Sequence, residues 1–267
     1  MNYIWRVVSE TINHLGLIYN LSVYEIKSKY AMHYLGTLWQ MLRPLLQIGV
    51  FWFAFGIGIR GGAPVDGVPF FTWFIVAMIP WFFISASITQ GANSIHSKIN
   101  LASRMKFPVS ALPAIAILIN SFSFIVMLLI VLLIVILNGA FSGYYLLQLP
   151  YYLIGLYILL YGLAMLFSTL SIIIRDVQTF IQSTMRLMMF LLPIVWTVDK
   201  LPEKYITILK LNPFFYIIQG FRDSLLGGAW FFEDITYTAY FWAINIFILL
   251  LGSYMHLKFR DSFVDYL

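Results

Sequence analysis

Apolar residues fall in long blocks along this chain, each far longer than a strand. A helix needs about 20 apolar residues to cross roughly 30 Å of hydrocarbon. Six blocks meet that length: 38–59, 70–92, 109–137, 149–174, 177–198 and 237–257. Pro44 interrupts the first early, Pro80 lies inside the second, and Pro113 opens an almost pure Ile, Leu and Val run in the third. Ahead of them the pattern changes. Ile4, Val8, Ile12 and Leu15 recur every three or four residues with Arg6, Glu10 and Asn13 between them. That spacing predicts an amphipathic helix lying at a membrane surface. The same stretch lacks the basic start and continuous apolar run of a signal peptide.

The 199–236 connection departs from the pattern differently. Ile206, Ile208, Leu209, Phe214, Phe215, Ile217 and Ile218 make it too apolar for a solvated loop. Pro213 and Gly227-Gly228 divide it, and Lys210, Arg222 and Asp223 charge it, so a seventh span does not fit. Two short re-entrant helices do, because broken backbone at membrane depth survives only when protein surrounds it. The expected fold is therefore an all-α polytopic membrane protein with one domain over 1–267. Its parts are an interface helix and elbow (1–30), spans one to five (38–198), an external re-entrant region (199–236) and span six (237–257).

Composition agrees and narrows the class. The chain is 61% hydrophobic and 18% aromatic but only 10% charged, with mean hydropathy +0.88. Soluble domains carry about 25% charge, so this chain cannot coat one. Cysteine is absent, which excludes a disulfide-stapled secreted scaffold. The net charge of +5 gives no nucleic-acid reading, since no basic patch is interleaved with exposed aromatics. Its location is what matters. Lys27, Lys29 and Arg43 flank the first span, and Lys98, Arg104 and Lys106 lie between the second and third. Arg175 lies between the fourth and fifth, and Lys258 and Arg260 follow the sixth. Connections on the other side are neutral or balanced. By the positive-inside rule the basic side, with both termini, is cytoplasmic.

The search for reactive chemistry returns little. No G-x-x-x-x-G-K-[ST] phosphate loop exists, and His14, His33, His96 and His256 have no metal-ligand spacing. Ser103 to Lys106 matches S-x-x-K but lacks the S-D-N and K-T-G partners of serine acylases. No cofactor is expected in this chain. None of the six blocks contains Asp or Glu, whereas ion-driven transporters place carboxylates at membrane depth. Arg43 and Arg186 are the only Lys or Arg residues within them. Arg186 lies about nine residues in, roughly 13 Å deep by helix rise, where a cation needs a polar cavity or a partner. Arg43 is nearer the boundary, where snorkelling is cheaper.

Several stretches carry a family resemblance. They are Tyr24 to Tyr30, then Leu35-Gly36-Thr37-Leu38-Trp39, then Leu42-Arg43-Pro44-Leu45. Arg175-Asp176-Val177, Asn212-Pro213-Phe214 and Gly220-Phe221-Arg222-Asp223 follow in order. Together they resemble ABC-2 type export permeases, in the polysaccharide and wall teichoic acid branch. The resemblance implies a homodimer in the bacterial cytoplasmic membrane, with two copies of a separate cytoplasmic ATPase that binds ATP and Mg. It implies, as cargo, a glycan on undecaprenyl diphosphate, with wall teichoic acid first and O-antigen or capsule next. Arg43, Arg186, Trp39, Phe51 and Phe55 are the candidates for the substrate path, the aromatics because sugars stack on such faces. Asn100, Leu101, Ser103, Arg104 and Lys106, with Arg175 and Asp176, are the candidates for coupling to the ATPase. An exporter of drugs or small lipids, a membrane-embedded glycosyl- or acyltransferase, and a channel or anchor remain as alternatives.

Overall fold

The computed structural model describes residues 2–59, 63–98 and 108–263. It holds ten α-helices among the described residues, and no strand beyond a single bridge between Val65 and Val68. Among the described residues, five helical stretches are long and apolar enough to cross a membrane. The first combines a 3-10 turn at Gly36–Leu38, helix α3 (Trp39–Phe51) and a widened π turn, Trp52–Ile59. The others are α4 (Phe70–Ala92), α5 (Ala111–Leu137), α6 (Leu149–Ile173) and α10 (Ile235–Phe259). The expected boundaries of these five hold to within a few residues.

The block at 177–198 behaves differently. Helix α7 covers Asp176–Leu191, sixteen residues, and falls short of a span by length. The cause is Pro193: the residue before a proline is pushed out of the helical region. Leu192 accordingly sits at φ −76° and ψ 146°, and the chain leaves the helix there.

At the core, α6 packs along α10 and α4 packs between α5 and α6. Small residues let these backbones close. A Cβ on Gly252 would fall 2.5 Å from the Gly162 carbonyl oxygen, and one on Gly91 would fall 2.7 Å from the Ala164 Cβ. Apolar lipid gives helices no hydrophobic reason to associate, so close van der Waals contact of this kind carries the packing. Helix α4 is the most enclosed of the long helices, with 78% of its apolar window buried, whereas the first span has 11%.

Two helices cover the N-terminal stretch, α1 (Asn2–Asn13) and α2 (Leu15–Tyr30). They pack on the rest of the protein through a different face from the stripe expected at the membrane surface. Val7 and Ile18 are buried, whereas Ile12 and Leu15 are each 56% exposed. A break at His14, with φ −112° and ψ 18°, resets the helical phase between the two. Helix α1 docks on α10, where Arg260 donates to Glu10 (3.1 Å) and Tyr3 meets Tyr254 edge-on. The Thr11 hydroxyl reaches that of Tyr161 at 2.7 Å.

The 199–236 connection contains two short helices, α8 (Glu203–Lys210) and α9 (Pro213–Leu226). The Asn212 side chain caps α9 by accepting from the Phe214 N–H (3.0 Å), with Pro213 in the first position. Gly227, at φ 85°, ends it in a conformation that glycine adopts freely.

Candidate functional site

Helices α3, α4, α5 and α7 line a half-open cavity of about 440 Å³, within the range of ligand sites. It begins at Lys29 near the end of α2 and runs past Arg43 and Gln90 toward Ile79 and Met127, near the middle of their helices, and Met189 in the last turn of α7. Arg43 and Arg186, on different helices, both line it. Lys29 stands at its rim, and no carboxylate lies among the described lining residues. Such a wall has one sign of charge and favours anions.

Each arginine is held lightly. Arg186 donates from Nε to the Gln182 carbonyl one turn back (3.3 Å) and is otherwise exposed. The Arg43 guanidinium lies 6.0 Å from the Trp39 ring centre, at the edge of cation–π range, and Trp39 also faces the cavity. Trp81, Phe82 and Phe83 extend the aromatic wall, and Phe83 stacks on Phe124 at 4.3 Å. Phe51 and Phe55 do not take part. They pack against each other at 6.1 Å and against the buried core. Phe51 stands twelve residues beyond Trp39, about a third of a turn off that face at 100° per residue.

Polar residues missed by a charge-based reading complete the lining: Gln40, Gln47, Ser85, Gln90, Asn120 and Ser123. Gln90 donates to Asn120 (3.2 Å), tying α4 to α5, and Ser123 donates to Gln40 (3.3 Å), tying α5 to α3. Amides within largely apolar helices are the available signal.

Of the coupling candidates, Asn100, Leu101, Ser103, Arg104 and Lys106 lie outside the described residues. Just before them, Lys98 pairs with Glu25 of α2. Arg175 and Asp176 are exposed at the start of α7, where an acid suits the helix N-terminus.

At the far end from Lys29, the Gly220-Phe221-Arg222-Asp223 motif is built into the packing. A Cβ on Gly220 would fall 2.0 Å from the Tyr152 ring, and Phe221 is wholly buried. Arg222 is 5% exposed, lies 3.5 Å from the Trp73 ring centre and donates to the Ile194 carbonyl (3.2 Å). Asp223 accepts from Gln219 (3.0 Å). These contacts give the motif an architectural reason.

Residues 17–226 match the ABC-2 type transporter family. The chain belongs to that family. It is a multi-pass membrane permease, the transporter subunit of its system, and not an enzyme. The permease is 26% identical over 253 residues to "O-antigen export system permease protein RfbA" of Klebsiella pneumoniae, covering 92% of this chain and 95% of that one. It is 24% identical over 219 residues to the protein of the same name from Myxococcus xanthus, covering 81% and 83%.

Proposed function

We propose that the permease exports a polysaccharide linked to undecaprenyl diphosphate across the bacterial cytoplasmic membrane, as a homodimer driven by two copies of a separate ATPase. The observation that carries this reading is the cavity lined by Arg43 and Arg186, with no carboxylate among its described lining residues. A diphosphate leaving water needs cations to meet it, because an unpaired phosphate in hydrocarbon is prohibitively costly. Arginine suits the task, since its planar fork engages two phosphate oxygens at once. A cationic drug would meet like charge in the same place. The relatives' names put an O-antigen-type glycan first for testing, with wall teichoic acid next.

Six crossings with both termini cytoplasmic remain the favoured topology. Helix α7 rises about 24 Å by 1.5 Å per residue, and the extended chain after Leu192 would complete the fifth crossing. The connection after Lys98, with Arg175 and Asp176, is the proposed seat of the ATPase, and its near end is fastened to α2 by the Lys98–Glu25 pair. Short apolar and basic segments of this kind fit grooves of partner proteins. Leu101→Asp with Arg104→Glu should abolish co-purification of the ATPase, and full retention would remove these residues from the docking surface.

The function itself is tested by reconstituting permease and ATPase in vesicles with undecaprenyl-diphosphate-linked O-antigen. ATP-dependent movement of the glycan to the opposite face is expected. Movement without ATP, or transport of a cationic drug in its place, would overturn the reading.

A further inference from the structure

The cavity holds more hydrogen-bonding capacity than anion binding needs. On α3, Gln40, Arg43 and Gln47 are spaced by three and four residues, which places them on one face, each about 5 Å of rise from the next. Across the space, Asn120 and Ser123 share a face of α5 by the same spacing, and Gln90 faces them from α4. The bonds formed among these groups leave much unspent. Asn120 Oδ1 accepts from Gln90, and its Nδ2 donates to the Ala116 carbonyl (2.8 Å). Gln40 Oε1 accepts from Ser123, with no partner shown for its Nε2, and the Gln47 amide makes no hydrogen bond among the described residues. Amides inside a membrane protein are costly unless they meet water, each other or a polar ligand.

We infer that Gln40, Gln47, Gln90 and Asn120 form a sugar subsite beside the cations, which hydrogen-bonds the first sugar on the diphosphate. The inference rests on the proposed function. Neutral amides offer paired donors and acceptors, the match for sugar hydroxyls. Phosphate oxygens accept only and are served by the arginines. A diphosphate held at Arg43 would have its attached sugar within one helical turn of Gln47 or Gln40. The cavity thereby distinguishes a glycosylated carrier from the bare carrier lipid, because the bare lipid leaves the amides unpaired.

The full permease with its ATPase, in nanodiscs, is titrated with two probes and followed by tryptophan fluorescence. One probe is undecaprenyl diphosphate; the other is the same lipid bearing a single N-acetylhexosamine. The wild type should bind the sugar-bearing probe about tenfold more tightly, the worth of one to two neutral hydrogen bonds. Gln47→Leu should erase that preference and keep the affinity for the bare lipid. Gln47 breaks no internal hydrogen bond when replaced, so this variant is expected to fold; Asn120→Leu is the second. Equal affinity for both probes in the wild type, or an unchanged preference in both variants, would overturn the inference and leave the amides as helix-to-helix ties. Binding of neither probe by the wild type would instead overturn the proposed function, and this inference with it.

Discussion

Arg222 and the pair Arg43 and Arg186 are cations in an apolar protein, yet the chain treats them in opposite ways. Arg222 is enclosed, stacked on Trp73 and bonded to the Ile194 carbonyl. Burial lowers its pKa to about 9, with Asp223 pulling it back up, so it keeps its charge at neutral pH. Arg43 and Arg186 are exposed to a cavity with no carboxylate among its described lining residues. The difference teaches where to look for function. A cation already satisfied by the protein holds helices together, whereas one left facing open space has interactions to give to a ligand.

The largest effects belong to the enclosed end. Gly220→Leu drives a side chain into the Tyr152 ring, only 2.0 Å from the would-be Cβ, so folded protein should not accumulate in membranes. Arg222→Ala removes a desolvated cation–π contact and leaves a void, together worth about 3 kcal/mol. Its melting temperature in detergent should fall by several degrees, and a wild-type melt would mean that Arg222 is not structural.

At the open end the signature reverses. Arg43→Gln and Arg186→Gln should each melt within about 2 °C of the wild type, since neither breaks an ion pair. Their half-maximal concentration of lipid-linked glycan, read from stimulated ATP hydrolysis, should rise about tenfold. A smaller effect comes from Asp223, which lies outside the five long helices. Burial raises its carboxyl to about 6, while Gln219 and Arg222 pull it down and Glu233 adds to the rise. The folded state therefore binds the proton more readily than the unfolded chain, and stability should fall as pH rises from about 4 to about 6. Asp223→Asn should flatten that slope in pH-dependent melts. The smallest effect is expected at Phe55→Leu, which alters a packed ring outside the cavity and should leave glycan stimulation unchanged.

Much of this architecture is legible in the sequence because its signals are local. The block at 70–92 coincides with α4, and Asn212-Pro213 marks the start of α9 by a cap and a first-turn proline. What escapes is phase and direction. The break at His14 resets the helical phase, so Val7 and Ile18, on two different helices, form the face that packs on the protein. Leu192-Pro193 ends α7 inside an apolar block that hydropathy alone extends to Val198. Arg43 and Arg186 stand out by charge in apolar blocks, whereas the neutral amides beside them do not. Phe51 and Phe55 share the first span with Trp39, but aromatic composition carries no phase, and both pack on the core instead of lining the cavity.

The central claim is that the open cations receive the carrier's diphosphate. It is tested most directly by titrating undecaprenyl-diphosphate-linked O-antigen into nanodiscs holding the permease and its ATPase, with the wild type beside the Arg43→Gln, Arg186→Gln double variant. The account predicts intact assembly, judged by ATPase co-purification, with the stimulation curve of the double variant displaced by at least tenfold. A double variant that assembles and follows the wild-type curve would contradict it.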